Sequence, residues 1–217
     1  MMTSPTSTAS PSELGSSLTT HKIYKRKKSS LGEARIAVVG SESVGKSAVT
    51  VRFLTKRFIG EYEASVENKY RHNSQIDSDY VTFEILDTCC KGPEGCAKDD
   101  IIRWADGFLL IYSITSRKSF DYVKDLGSKI IDARKCGFPL VLVGNKSDMG
   151  HVRQVTRADG QELGRELDCP FIEVSASEDA ETVYDAFNTV GRDILSYKRK
   201  SRTIFDRVLG GLPSLKK

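Results

Sequence analysis

The 217 residues lack several features that mark membrane, secreted and metal-bound proteins. They contain no apolar run of the ~18 residues that cross a bilayer. The first residues, MMTSPTSTASPSELGSS, do not include the apolar stretch of a secretory signal. The five cysteines are irregularly spaced and include no CxxC pair, which argues against a disulfide framework and against a zinc site. We therefore expect an intracellular protein with reduced thiols.

Acidic and basic residues are unevenly distributed along the chain. The formal net charge is +4, of which residues 1–33 contribute +3 and residues 196–217 contribute +6, which leaves −5 for residues 34–195. An acidic central region between basic ends differs from a uniformly basic protein, and we expect no specific nucleic-acid partner. Any attraction to an anionic surface would reside in the two ends.

The N-terminal residues 1–33 are predicted to form a disordered basic extension. Residues 1–20 are rich in Ser, Thr and Pro and poor in large apolar side chains, so they bury too little surface to offset the entropy lost on ordering. Lys22 and the basic run Lys25–Lys28 follow. This run is interpreted either as a solvated tail or as a patch for nuclear import or an anionic surface.

Apolar runs and helical spacings alternate from residue 34 to residue 197, which we predict to be one domain. Strands are predicted at residues 35–39, 68–76, 81–86, 108–114, 140–143 and 171–174, and helices at 48–56, 120–135, 158–167 and 180–197. The pattern predicts an α/β fold of the P-loop NTPase class: a mostly parallel six-stranded sheet with one antiparallel edge hairpin and helices on both faces. Ligands of such sheets bind at the carboxyl ends of the strands.

The segment Gly40–Ser47 matches the phosphate-binding pattern GxxxxGK[ST] in full, after a predicted strand and before a helix. Its glycines permit backbone conformations that a Cβ would obstruct, and its N–H groups and the helix N-terminus bind phosphate oxygens. The lysine is expected at the terminal phosphates as a catalytic residue, and the serine at Mg²⁺. The predicted nucleotide-binding residues of this segment are Gly40, Ser41, Glu42, Ser43, Val44, Gly45, Lys46, Ser47 and Ala48.

Two further motifs indicate that the base is guanine. Asn145, Lys146 and Asp148 form an NKxD pattern after one predicted strand, and Ser175-Ala176 follows the next strand. The Asp148 carboxylate can accept hydrogen bonds from guanine N1–H and the 2-amino group, which adenine does not present in that arrangement. Lys146 can lie over the base, and the backbone N–H of Ala176 can meet guanine O6. Together, and downstream of a phosphate loop, the two motifs are a strong signal.

In this order the motifs resemble those of the Ras superfamily of small GTPases, and the resemblance covers residues 34–197. The chain looks closest to the Ras subfamily, and within it to the atypical branch typified by the Ras-related estrogen-regulated growth inhibitor. The segments Lys46–Tyr62 and Arg103–Phe108 carry that likeness. The resemblance implies a monomeric signalling switch that binds GTP, GDP and Mg²⁺.

The resemblance also implies roles for residues outside the phosphate loop. Phe58 would stack on the edge of the guanine, and Ser65 and Asp87 would join Ser47 at Mg²⁺, with Asp87 acting through water. Residues 61–67 would form the first switch, and the second would begin at Asp87. Effector proteins would then bind through residues 61–67 and 88–104.

Among the departures from the Ras pattern, which include Cys89 and the mild change to Ser65, four positions surround the expected γ-phosphate. Glu42 and Ser43 replace two glycines of the phosphate loop. Cys90 stands where the pattern has the glycine that meets the γ-phosphate, and Lys91 stands at the catalytic position of the glutamine that orients the attacking water. Two interpretations remain open: a deliberately slow or non-hydrolysing switch, and simple loss of constraint.

The C-terminal residues 198–217 are predicted to be a basic tail without a lipid anchor. The sequence ends Pro213–Lys217 and its last cysteine is Cys169, so we expect no prenylated CaaX box. Apolar residues share one helical face with basic residues elsewhere, which suits a weak membrane-surface helix; docking on the domain and disorder are the alternatives. Those apolar residues are Ile204, Phe205, Val208 and Leu209.

The motifs suggest three candidate functions. The first is a slow GTPase switch, and the second is a non-catalytic pseudo-GTPase in which the nucleotide is structural. The third, a P-loop kinase or ATPase, is disfavoured because the NKxD and Ser-Ala motifs have no role there. We expect a cytoplasmic protein, with the nucleus and the membrane surface as alternative locations.

Overall fold

The computed structural model describes residues 32–60, 67–89, 98–134 and 137–210, and it contains six strands, five α-helices and one 3-10 helix in those ranges. The strands are β1 (Gly32–Val39), β2 (Asn68–Ile76), β3 (Asp79–Asp87), β4 (Gly107–Ser113), β5 (Leu140–Asn145) and β6 (Phe171–Glu173). The α-helices are α1 (Lys46–Thr55), α2 (Asp99–Trp104), α3 (Arg117–Arg134), α4 (Arg157–Glu166) and α5 (Ala180–Gly210), and the 3-10 helix is Ser147–Val152.

The strands form one sheet in the order β2-β3-β1-β4-β5-β6. Only β2 and β3 pair antiparallel, as a hairpin at the sheet edge, and the other neighbours are parallel. The buried strands β4 and β5 are apolar along nearly their whole length, which is the composition that a doubly covered parallel strand requires. The predicted mostly parallel sheet with one antiparallel edge hairpin is confirmed.

Apolar side chains form a core on each face of the sheet. On one face, α1 and α5 pack against the sheet, and Phe53 of α1 stacks on Phe187 of α5 with ring centroids 4.1 Å apart. On the other face, α2, α3 and α4 contribute Ile102, Val123 and Leu163 to a second core. Helices therefore cover both faces, as predicted.

Two short helices were not predicted, and one long helix was predicted too short. The six-residue helices α2 and Ser147–Val152 span too few turns to show a hydrophobic period. The final helix, expected to end at about Tyr197, continues to Gly210. That prediction was wrong because the first helix-breaking residues after Tyr197 are Gly210 and Gly211. In addition, Lys198 and Arg199 bind carboxylates of the domain rather than entering a tail.

The described helices include none that is both long enough and apolar enough to cross a bilayer. Most of the predicted N-terminal extension, residues 1–31, lies outside the described residues. The apolar side chains predicted to form a helical face at 204–209 also fall outside the described side chains.

Candidate nucleotide-binding site

The phosphate loop connects β1 to α1 at the carboxyl edge of the sheet. Gly40 has φ +152°, and a Cβ there would lie 2.0 Å from the carbonyl oxygen of Ile111. Gly45 has φ +94°, and a Cβ there would lie 2.4 Å from Nδ2 of Asn145. Both positions therefore require glycine for conformation and for space, as the sequence pattern predicts. Val44 and Ala48 are buried beneath the loop.

Lys46 closes the loop from inside. Its Nζ donates to the carbonyl oxygens of Gly40 (3.0 Å) and Ser41 (2.8 Å), and only 8% of the residue is exposed. Burial lowers the pKa of Lys46, an effect opposed mainly by the nearby Asp87 carboxylate. The ammonium group is thus held at the concave side of the loop, where the terminal phosphates of a nucleotide would lie.

Asp87 ends β3 and faces the beginning of α1. It is 2% exposed, its carboxylate accepts a hydrogen bond from the Ser47 hydroxyl, and its Oδ1 has no hydrogen-bond partner among the described residues. Burial raises the pKa of Asp87, partly offset by that hydrogen bond and by Lys46. A buried carboxylate oxygen without a partner is costly in an isolated protein. A hydroxyl beside a carboxylate is a donor set that suits Mg²⁺, so Ser47 and Asp87 fit the predicted metal site.

Asn145 connects the phosphate loop to the base-binding loops. Its Nδ2 donates to the carbonyl oxygen of Val44 at 2.8 Å, and its Oδ1 accepts from the backbone N–H of Ala176 at 3.3 Å. The residue is 1% exposed. Both ends of one amide are therefore used to hold three segments together.

Lys146 and Asp148 lie at the outer end of the site, next to Ser175. Lys146 has φ +65° and donates from Nζ to the Ser43 carbonyl at 2.8 Å, so its stem crosses from one loop to the other. The Ser175 hydroxyl donates to Oδ1 of Asp148 at 2.7 Å. Asp148 is exposed, so its carboxylate is accessible to a ligand.

The two departures within the phosphate loop have different consequences. Glu42 is exposed at the tip of the loop, and its carboxylate adds a small opposition to the lowering of the Lys46 pKa by burial. Ser43 adopts φ +60°, a left-handed conformation that is strained for a residue with a Cβ. Ser43 therefore has a backbone conformation that favours glycine, although it carries a Cβ.

Several predicted residues are exposed or outside the described ranges. Phe58 follows α1 and is 46% exposed, free of the core and available to a ligand. Ser65, Cys90 and Lys91 lie outside the described residues, as do residues 61–66 and 90–97 of the two predicted partner-binding segments. Among the described residues, Cys89 and Cys169 form no disulfide bond.

Two sets of contacts that support the loops of the site were not predicted from the sequence. Thr88 donates both its backbone N–H and its hydroxyl to the Val38 carbonyl, at 3.3 and 2.7 Å, which fixes the chain after Asp87 to β1. Arg153 and Glu173 form an ion pair behind the base-binding loops. Neither feature follows a motif or a period, since each joins residues that are far apart in the sequence.

Comparison with known proteins agrees with this geometry. The family model "Ras family" matches residues 35–196. Ras-related and estrogen-regulated growth inhibitors from Bos taurus and Homo sapiens are 42% and 41% identical to the chain over 163 residues, which cover 75% of this chain and 81% of each relative. Ras-like protein family member 11B from Danio rerio is 42% identical over 167 residues, which cover 74% of this chain and 68% of that protein.

Proposed function

Because this chain belongs to the Ras family, we propose that it is a guanine-nucleotide switch whose GTP hydrolysis is slow or impaired. Family membership makes it a GTP-binding signalling protein with GTP, GDP and Mg²⁺ as its ligands. The observation that carries the proposal is the connected set of contacts from the phosphate loop through Asn145 to the base-binding loops. The contacts that would bind the nucleotide are present, whereas the residues expected around the γ-phosphate are altered. This combination favours a protein that retains its nucleotide over one that hydrolyses GTP rapidly.

The proposal of slow hydrolysis rests on the residues expected around the γ-phosphate. In Ras-like GTPases a glutamine orients the attacking water, and an arginine finger stabilises the transition state. Lys91 has three donors and no acceptor, so it cannot position water as a glutamine does. Glu42 is exposed at the loop tip, where its carboxylate would meet an incoming arginine. Lys91 can offset part of this loss by stabilising charge, but it leaves the water unpositioned.

A bound Mg²⁺ would supply positive charge that stabilises the negative charge developing during phosphoryl transfer. On the protein side, Ser47 and Asp87 would hold the ion, with Ser65 completing the set. Lys46 would bind the terminal phosphates, and Asp148 with Ala176 would orient the base.

The alternative is a pseudo-GTPase in which nucleotide is structural. Hydrogen exchange of the GDP-loaded and GTP-loaded protein separates it from a switch. A switch should show different protection in residues 61–67 and 88–104, with little difference in β5. Equal protection in both loaded forms would favour the structural role. A nucleotide panel in which ATP binds as tightly as GTP would instead support the kinase or ATPase hypothesis.

We also propose that effector proteins bind a monomer through residues 61–67 and 88–104, and that the basic ends govern any membrane contact. The protein would be cytoplasmic and would reach the nucleus or an anionic membrane through residues 1–33 and 198–217. Removing residues 1–31 and 211–217 should weaken binding to phosphatidylserine vesicles at low salt. Equal binding by the trimmed protein would show that residues 32–210 make the contact.

A further inference from the structure

Behind the base-binding loops, an ion pair joins the residue that follows the 3-10 helix to the last residue of β6. Arg153 Nη1 lies 2.6 Å from Oε1 of Glu173, and Nη2 lies 3.2 Å from Oε2. The same Nη1 donates to the Val155 carbonyl at 3.1 Å. The arrangement is bidentate, the geometry in which arginine binds a carboxylate most strongly and with a defined orientation.

This ion pair is more buried than others in the described part of the chain. The Glu173 side chain is 8% exposed and that of Arg153 is 27% exposed. For comparison, both side chains of the Lys124–Glu166 pair are more than 40% exposed. Exposed pairs contribute little to stability, whereas removing one partner of a buried pair leaves an uncompensated charge. The Arg153–Glu173 pair therefore constrains its surroundings more than an exposed pair would.

The 3-10 helix Ser147–Val152 carries Asp148 and has no buried side chain. Met149 and Val152 are 37% and 45% exposed, so packing into a core does not fix the position of this helix. Hydrogen bonds and ion pairs must do so instead.

Two contacts tie the 3-10 helix to the end of β6, one at each end of the helix. At its beginning the Ser147 N–H donates to the Val174 carbonyl at 3.1 Å. At its end, Arg153 binds Glu173. Asp148 lies between these ties, and its Oδ1 accepts from Ser175, two residues after Glu173. The backbone N–H groups of residues 154 and 155 bind the Ile114 carbonyl, which ties the following chain to β4 and not to β6.

We propose that Arg153 and Glu173 are positioning residues for guanine recognition, which set the separation between the Asp148 carboxylate and the backbone N–H of Ala176. The inference rests on the proposed guanine site. The carboxylate would bind N1–H and the 2-amino group, and the Ala176 N–H would bind O6 on another part of the same base edge. A rigid base can satisfy both only when the two loops are held at one separation.

Inosine diphosphate tests this directly because hypoxanthine keeps N1–H and O6 but lacks the 2-amino group. Affinities for Mg-GDP and Mg-IDP should be measured for the unaltered chain and for Arg153→Ala. A displaced Asp148 loses its bond to the 2-amino group, which only GDP provides. GDP affinity should therefore fall roughly tenfold, the scale of one lost charged hydrogen bond, and IDP affinity should fall less.

Glu173→Gln provides a second variant that keeps the shape of the side chain, and it should lower the GDP-to-IDP affinity ratio in the same direction. The double variant Arg153→Ala with Glu173→Gln should lower the ratio no further than Arg153→Ala alone, because both changes remove one contact. Lys124→Ala is the matched control, since it breaks an exposed pair on α3 and should leave the ratio unchanged.

Equal losses of GDP and IDP affinity in both single variants would overturn the proposal and show that the ion pair only stabilises the fold. An unchanged GDP-to-IDP affinity ratio in both Glu173→Gln and Arg153→Ala would overturn the proposal as well. So would additive losses of that ratio in the double variant. These results differ from failure of the guanine site itself, in which the unaltered chain would show no preference for GDP over IDP and ADP.

Discussion

The base-binding end and the γ-phosphate end of the nucleotide site differ in the contacts that their residues make. At the base-binding end, Asn145, Lys146 and Ser175 are engaged in contacts with other loops. At the γ-phosphate end, Asp87 keeps an unpartnered buried oxygen and Ser43 holds a strained backbone. The contrast indicates that guanine recognition is built into the fold, whereas the chemistry at the γ-phosphate depends on residues that have departed from the Ras pattern.

The largest expected effect is that of a substitution at Gly45, which lies against Asn145 where the two ends of the site meet. In Gly45→Ala, the new Cβ would lie 2.4 Å from Nδ2 of Asn145 on a backbone with φ +94°. Strain and overpacking together should destabilise the protein by about 3 kcal/mol or more, and GDP binding should be lost with it. Chemical denaturation and GDP titration measure both. Gly60→Ala is the control, because an added Cβ there would meet no described residue other than its chain neighbours within 4 Å; equal behaviour of the two variants would contradict the tight packing at Gly45.

At the base-binding end, Asp148→Asn should weaken GDP binding by about 1–3 kcal/mol or more. The amide presents a donor where guanine also has donors, but it suits the 2-oxo group of xanthine, so xanthosine diphosphate should bind better than before. The oxygen of Asn can still accept from Ser175, so the loop should keep its place. Asp132→Asn, an exposed carboxylate on α3, is the matched control. Unchanged GDP affinity in Asp148→Asn would remove the guanine assignment.

At the γ-phosphate end, the variant Glu42→Gly with Lys91→Gln restores two residues of the Ras pattern. Arginine fingers contribute about 10³–10⁵ in rate in ordinary cases, and we expect the double variant to recover at least roughly tenfold stimulation by a Ras-type activating protein. Each single change should recover less. If neither the single variants nor the double variant changes stimulation by the activating protein, Cys90 rather than Glu42 or Lys91 determines the response at the γ-phosphate end.

The smallest expected effect concerns backbone strain. Ser43→Gly should relieve the left-handed strain at φ +60° and raise the free energy of unfolding by about 1 kcal/mol. The Lys146 contact uses the backbone carbonyl of residue 43, so it should survive and leave guanine selectivity unchanged. Thermal unfolding with GDP and IDP titrations checks both statements. A lower melting temperature would show that the Ser43 side chain compensates for the strain.

The sequence predicted the sheet and the loops that carry the site because both depend on local patterns. Gly40 directly follows β1, Lys46 begins α1, and Asp148 lies in the 3-10 helix that follows β5, which are the positions expected for a phosphate loop and an NKxD motif. The sequence did not predict the exposure of Asp148, the double contact of Thr88 with Val38 or the Arg153–Glu173 pair. Those depend on tertiary packing between distant segments, which no local period encodes.

The end of α5 gives the opposite lesson. Charge density suggested a tail after Tyr197, but the helix continues because Lys198 binds Asp106 and the Glu33 carbonyl and Arg199 binds Asp79. The sequence predicts a basic tail from residue 198, with a membrane-surface helix, docking on the domain and disorder as alternatives, and the first two residues of that segment bind acidic residues of the domain. Only the folded sheet brings those carboxylates to the helix.

Single-turnover release of phosphate from GTP loaded on the unaltered protein tests the central claim most directly. The same samples should report how much guanine nucleotide stays bound. We predict that nucleotide is retained while phosphate is released no faster than about 10⁻⁴ s⁻¹, the scale of unassisted Ras-like proteins, with no stimulation by a Ras-type activating protein. Rapid release, or strong stimulation, would contradict the account and make Glu42 and Lys91 bystanders at an ordinary GTPase site.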